Sequence, residues 1–325
     1  MAIVERWTTQ SRVGVLGAAV LLVALAAAPG LLGAGIVDRM TALFIYIILA
    51  AMWNALAGYC GLVSIGQQLF FGLGAYATIR IANAGLDPFA AMLVAAVVVG
   101  ALAWPISLFM LRLRGGEFSI GMWVLASIGH LCVNLDPMIQ GETGSSLISL
   151  NAYDADLRRN LIYWLALAAM AVLLGALFAL LRSREGLAIQ AIRDNEEAAT
   201  SLGVKPDRTK RRLFVLAGFG IALAGALWLA QAVSFQPKAY FSVQWTAYMI
   251  FMVLVGGIGR FEGAVLGALL FFIVETLFAA TGVWYLIGLG ATAMVFSLYF
   301  PRGLWGAMAA RTGVQLLPLG YRAKP

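Results

Sequence analysis

Seven stretches of this chain hold no Asp, Glu, Lys or Arg: 13–37, 40–79, 88–111, 160–181, 213–237, 239–259 and 276–301. Each reaches or exceeds the ~20 residues that a helix needs to cross ~30 Å of hydrocarbon. A water-soluble domain has no use for so many. Only 11% of the residues are charged, against roughly 25% in soluble domains. The chain therefore reads as an all-α integral membrane protein, a polytopic helical bundle. The first run follows Arg6 and Arg12. At 25 uncharged residues it exceeds the ~7–15 residues of a signal-peptide core, so it is expected to remain as a span.

Dividing the runs gives about ten transmembrane helices, or eight or nine if a Gly-rich break is a mid-membrane interruption rather than a loop: 13–34, 40–57, 66–84, 88–111, 118–135, 160–181, 213–234, 243–258, 263–281 and 283–300. Two divisions rest on glycine. GYCGLVSIG (58–66) interrupts the run 40–79, and GGIGRFEG (256–263) separates the eighth span from the ninth. Glycine disfavours helix continuation and permits tight turns. The similar spacing of the two breaks hints at an old duplication. Gly263-x3-Gly267 has the spacing of a close helix contact.

Basic residues test this division, because cytoplasmic loops are enriched in Lys and Arg. With the N-terminus inside, 17 of the 22 basic residues fall on the cytoplasmic side. Arg39, Arg158, Arg159 and Lys238 fall outside, and Arg80 lies within a span. The expected organisation is a cytoplasmic N-terminus (1–12), a membrane domain (13–300) with a cytoplasmic loop (182–212), and a cytoplasmic tail (301–325). The net charge of +7 then reflects topology. No basic cluster is interleaved with aromatics as nucleic-acid binding would need. Cys60 and Cys132 lie in apolar context and read as small core residues. No metal-ligand spacing occurs, and no G-x4-GK[ST] nucleotide loop is present.

The loop is the exception to the oily composition: EGLAIQAIRDNEEAATSLGVKPDRTKRR (185–212). Read as one helix over 187–202, it places Leu187, Ala188, Ile189, Ala191, Ile192, Ala198, Ala199 and Leu202 on one side. Gln190, Arg193, Asp194, Glu197, Thr200 and Ser201 fall on the other, while Asn195 and Glu196 interrupt the division. Gly203 suits a C-cap, with Pro206 soon after it, and Lys210-Arg211-Arg212 reads as a basic anchor. Helices that only rest on lipid usually carry a basic polar face. Acids are a poor choice against anionic lipid, so this face points to a protein partner.

Glu197-Ala198-Ala199-x3-Gly203 resembles the EAA-x3-G pattern in the cytoplasmic loop of ABC-importer permeases. AIRDNEEAATSLGV is similar to that loop in the permeases of branched-chain amino acid importers, in the subfamily of the M-type subunit. GYCGLVSIGQQLFFGLGAY (58–76), RLRGGEFSIG (112–121), GETGSS (141–146), MVLVGGIGRFEGAVLGA (252–268) and YFPRGLWG (299–306) resemble further motifs of that family. The resemblance spans about 38–306. It implies a cytoplasmic coupling helix with Arg193, Asp194, Glu196, Glu197, Ala198, Ala199 and Gly203 as ATPase-coupling residues. It also implies a second, related permease, two cytoplasmic ATPases that carry ATP-Mg, and a periplasmic solute-binding protein, all in a bacterial inner membrane. This chain itself would need no cofactor and would not be an enzyme. The family pattern often has His where Gln67 stands and an aromatic where Glu117 stands. The solute could thus be a branched-chain or other amino acid, or a related amide, urea or organic acid.

Ionisable groups within spans cost about 2.5–3.5 kcal/mol on insertion scales, so each needs a reason. Arg80 is expected to snorkel towards Asp87, and His130 to be structural. Glu275 could serve interhelical hydrogen bonding or a solute pathway. Asn54, Ser64, Gln67 and Gln68 cluster at the first break and, with Glu275, are candidate pathway-lining residues; the alternative for them is helix–helix hydrogen bonding. The competing function is an ion-coupled secondary transporter. Such a protein would need several intramembrane carboxylates or histidines, and only Glu275 clearly lies in a span.

Overall fold

The computed structural model of the chain describes residues 3–5, 9–300, 302–312 and 322–324. The architecture is helical. The apolar helices are α1 (Thr9–Ala26), α2 (Ala34–Asn54), α3 (Gln68–Asn83), α4 (Pro88–Met110), α5 (Gly116–Asn134) and α6 (Ala155–Arg182). Two short helices follow, α7 (Arg184–Asp194) and α8 (Glu196–Ser201). Then come α9 (Pro206–Ala232), α10 (Val243–Gly256), α11 (Phe261–Phe278), α12 (Val283–Tyr299) and α13 (Gly303–Thr312). A helix lies over each of the ten expected spans. Among the described residues, eight helical stretches are long and apolar enough to cross a membrane. The two shortfalls are α1, whose apolar part is Arg12–Ala26, and α3.

α2, α3, α9 and α10 form the centre. Ile45, Ile48, Leu49, Phe70, Phe71, Ile221, Leu227 and Met252 are fully buried there. The outward faces stay apolar, with Val97, Phe109, Leu277 and Leu298 largely exposed. Such a surface would be a liability in water and is the surface that lipid requires. The Gly263-x3-Gly267 expectation is met. A Cβ on Gly267 would overlap the Met252 carbonyl, and one on Gly256 the Gly263 carbonyl, so α10 and α11 touch backbone to backbone.

Short strands close two edges. Ile3–Glu5 pairs antiparallel with Arg322–Lys324, which brings the two chain ends together. Ser145–Ser146 of the GETGSS motif pairs with Ser234–Phe235. The remainder of 1–12 and of the tail, including Arg6 and Pro301, lies outside the described residues.

Several expectations need correction. Cys60 is buried, but Cys132 is exposed on α5. Arg80 pairs with Asp136 at 3.6 Å rather than reaching Asp87. Asp87 instead caps α4, accepting from the Phe89 and Ala90 N–H groups at 2.9 and 3.2 Å, and takes the Tyr153 hydroxyl. His130 is structural, bonded to Glu142 at 2.8 Å.

Candidate functional site

The first glycine-rich break is a non-helical segment built into the bundle. α2 continues as a π-helical turn over Ala55–Tyr59 and ends at Cys60. Residues 61–67 then run non-helically before α3 begins. With 16 residues, α3 covers about 24 Å at ~1.5 Å per residue, short of the hydrocarbon thickness.

Side chains hold this segment. The Trp53 indole donates to the Ser64 carbonyl at 3.0 Å, and the Ser119 hydroxyl to the Val63 carbonyl at 2.5 Å. The Ser64 hydroxyl accepts from Gly66 N–H at 3.3 Å. Gln68 accepts from the Thr246 hydroxyl at 2.5 Å. Burial alternates along the strand: Leu62, Ser64 and Gly66 face inward, whereas Gly61, Val63 and Ile65 are exposed. Gln67 is 0% exposed, and neither its amide nitrogen nor its oxygen has a partner among the described residues.

The two breaks meet. Asn54, 1% exposed, spans them with both ends of its amide: Nδ2 donates to the Arg260 carbonyl at 2.9 Å, and Oδ1 accepts from Gly259 N–H at 2.8 Å. A Cβ on Gly58 would overlap the Asn54 oxygen and the Gly259 backbone nitrogen. Only glycine permits that approach. Asn54 and Gln68 thus make side-chain hydrogen bonds between elements, the alternative to lining a pathway, whereas the Ser64 hydroxyl bonds within its own segment.

Glu275 sits apart from this junction. The Tyr46 hydroxyl donates to its Oε1 at 2.7 Å. Around it stand Tyr46 and Tyr248, both packed on Phe271 with ring centroids 5.0 and 4.7 Å away. The structure does not bring Glu275 together with Asn54, Ser64, Gln67 and Gln68.

The charged loop is two helices, not the single one expected over 187–202. Asn195 adopts an extended conformation (φ −161°, ψ 106°), and its Oδ1 accepts from Ala198 N–H at 3.0 Å, capping α8. Asn followed by two Glu is a good N-cap sequence, so this signal was available. Gly203 has φ +88°, as its C-cap role requires. Pro206 is the first residue of α9, where its missing N–H costs nothing.

The loop's reverse side is tied down. Ile189, Ile192 and Ala199 are buried. Glu196 pairs with Lys210 at 2.8 Å, and Glu185 with Arg212. Arg211 lies over the Trp104 ring, 5.7 Å from its centroid. The KRR segment therefore belongs to the first turns of α9, and two of its cations serve the loop's own acids rather than lipid. Arg193 also turns inward. Its Nη1 donates to the Gly58 carbonyl at 2.9 Å, and its Nη2 pairs with Asp194 at 2.9 Å. Asp194, Glu197, Ala198 and Gly203 stay exposed, as do Leu187 (48%) and Leu202 (85%). The apolar side thus splits: its Ile residues and Ala199 pack inward, and Leu187, Ala198 and Leu202 stay open.

At the opposite end, one residue escaped the reading of the sequence. Glu142 accepts from His130 at 2.8 Å, Asn134 Nδ2 at 3.1 Å and Lys238 N–H at 3.0 Å. It ties three segments together. A carboxylate inside a Gly-rich outer loop was the only sign of it. Among the described residues, no three His, Cys, Asp or Glu side chains gather as a metal site would need.

A polytopic helix bundle with a broken membrane helix, and a capped helix pair at one end, is the anatomy of a transport subunit. Residues 35–300 match the family model for the permease component of branched-chain amino acid transport systems, and the chain belongs to that family. It is 27% identical over 313 residues to the high-affinity branched-chain amino acid transport system permease protein LivM of Escherichia coli K12, covering 87% of this chain and 73% of that one. The LivM permease of Salmonella typhimurium is 28% identical with the same coverage. The xylose transport system permease protein XylH of Escherichia coli K12 is 34% identical over 101 residues, which is 30% of this chain and 26% of XylH. No solved structure matches. The chain is a multi-pass permease subunit of an ABC importer, a transport component rather than an enzyme.

Proposed function

We propose that this subunit carries a small polar solute of the amino-acid class, branched-chain amino acids first among them. It pairs with a second, related permease, receives solute from a periplasmic binding protein, and is driven by two cytoplasmic ATPases that bind ATP-Mg. The membrane is a bacterial inner membrane with the α7–α8 loop and both termini on the cytoplasmic side. Supporting this orientation are the bias of 17 in 22 basic residues and the pairing of the chain ends. The solute class follows the relatives that align over most of the chain.

One observation carries the coupling assignment. The loop is fixed on its reverse side yet presents Glu197, Ala198 and an 85% exposed Leu202. A bare leucine amid acids suits a protein socket rather than water or anionic lipid. Asp194, Glu197, Ala198 and Gly203 form the ATPase-facing set. The exposed Arg193, the half-buried Glu196 and the buried Ala199 support it.

Residues 61–67 re-enter the membrane ahead of the short α3, and the pathway runs past them. Lipid does not tolerate non-helical backbone at membrane depth, so the exposed edge Gly61–Val63–Ile65 lies against the second permease or a water-filled lumen. Gln67, whose buried amide is unpartnered, is the group nearest that edge with hydrogen bonds to offer a passing solute. Asn54, Ser64 and Gln68 hold the break open, and Glu275 lines a separate polar stretch.

The test is ATP-dependent uptake of radiolabelled leucine by the reconstituted complex. Glu197→Arg, or deletion of 194–203, is expected to abolish uptake while the chain still inserts. Unchanged uptake would sink the coupling assignment.

A further inference from the structure

Gly58, in the last turn of a membrane helix, lacks its usual donor. The N–H that a continuing helix would offer, that of Leu62, returns instead to the Leu56 carbonyl at 2.9 Å. An unsatisfied carbonyl in such a place is costly. The donor comes from the loop: Arg193 Nη1, 2.9 Å away and 135 residues later in the chain. The guanidinium is aimed by Asp194, which accepts from its Nε and Nη2 at 3.1 and 2.9 Å. Its stem passes Gly61, where a Cβ would sit 3.5 Å from Arg193 Cγ. Its tip reaches the second break, where a Cβ on Gly259 would sit 3.3 Å from Nη1. Asn54 then joins Gly259 and Arg260 to the end of α2.

We infer that Arg193 is a positioning residue that transmits displacement of the α7–α8 pair to both helix breaks, and so to the re-entrant segment beside the pathway. This inference rests on the coupling role proposed above and gives it a mechanical route. The outer face of α8 meets the partner. Arg193, at the end of α7, is the charged contact that leads inward from the loop to the break. A charge-assisted hydrogen bond is short and directional, and the backbone on both sides of it is glycine. Displacing the loop therefore pulls on the Gly58 carbonyl, with the guanidinium held in place by Asp194. Packed elements with two discrete arrangements convert small shifts of this kind into gating.

Cys60 supplies a native reporter. It is buried (3% exposed) and lies two residues beyond Gly58. In the assembled transporter carrying Cys132→Ser, the rate of Cys60 alkylation by N-ethylmaleimide is read on this chain by mass. It is compared between the nucleotide-free complex and the complex trapped with ATP and vanadate. The expected result is a several-fold difference between the two states with Arg193 present. Arg193→Ala is expected to collapse that ratio to unity while the ATPases still copurify. Arg193→Lys, which keeps one donor for the carbonyl, should restore part of it. If Arg193→Ala does not fold, Asp194→Asn, which removes the group aiming the guanidinium, is expected to shrink the ratio. A wild-type ratio in Arg193→Ala or Asp194→Asn overturns the inference, and so does the absence of state dependence in the unmodified protein. Failure of the ATPases to copurify with the wild-type chain is seen before any labelling. That result refutes the coupling role itself and this inference with it.

Discussion

Asn54→Ala is the sharpest perturbation of the junction. The side chain is 1% exposed and makes two hydrogen bonds of 2.8 and 2.9 Å to backbone groups of the other break. Removing it leaves the Gly259 N–H and the Arg260 carbonyl without this partner in half-buried surroundings. Each orphaned group costs about 1–3 kcal/mol in proteins generally. Interhelical hydrogen bonds in membranes average only ~0.6 kcal/mol, because the unfolded chain in the bilayer also finds partners. Half-burial puts the loss between these two ranges. The stranded groups belong to a turn between two helices, and no neighbouring side chain can replace the amide across a glycine contact. The expected loss is about 1–3 kcal/mol, or roughly 2–6 °C in thermal midpoint at ~2 °C per kcal/mol. Midpoints of the detergent-solubilised chain, followed by size-exclusion fluorescence, would show it. Asn54→Asp should be at least as damaging, since it turns an oxygen lone pair towards the Arg260 carbonyl. Midpoints within about 1 °C of wild type for both variants would refute the reasoning.

Two further outcomes follow from the same structure. Gly267→Ala forces a methyl into the Met252 carbonyl and should cost at least the ~1–3 kcal/mol of overpacking. Gly288→Ala on α12, with nothing within 4 Å, should be neutral or stabilising by up to about 1 kcal/mol; equal midpoints for the two variants would contradict the close α10–α11 contact. Asp136 accepts from the Tyr76 hydroxyl at 2.6 Å and Met138 N–H at 3.0 Å, and faces Arg80. The Tyr76 bond first, then that backbone bond and the nearby cation, holds its carboxyl below the usual range. A carboxylate depressed by folding stabilises above its unfolded value of ~3.9 and loses that contribution as pH falls through the folded value. Thermal midpoints measured from pH 6 downwards to about pH 3 should therefore fall more steeply in wild type than in Asp136→Asn; parallel curves would remove Asp136 from the account.

What the residues disclosed and what they withheld divides along sequence distance. Spans could be read because hydrophobicity and length are local, and a helix lies over each expected segment. The caps at Asp87 and Gly203 and the contact at Gly263-x3-Gly267 could be read in kind for the same reason, although Asp87 had been assigned to Arg80 instead. The single helix over 187–202 failed because amphipathic periodicity outweighed the N-cap signal of Asn195. The first break leaves loop and mid-membrane interruption open in the sequence, because glycine marks an interruption without saying where the chain goes next. The 16-residue length of α3, short for a crossing alone, favours the interruption.

The junction itself could not be read in this way. Asn54 meets Arg260 across 206 positions, and Arg193 meets Gly58 across 135. In a sequence each of these side chains has another plausible duty: Asn54 could line a pathway, and Arg193 could face a partner. Burial decides between them. An amide sealed on both ends by backbone cannot also bind a passing solute while the breaks stay joined. If Asn54 ever meets solute, the two breaks must first part. The group that then loses or gains a carbonyl partner is the one reached from the loop, Arg193. A pathway role for Asn54 and a coupling role for Arg193 are therefore a single event seen from two sides, and a junction that never opens would exclude both.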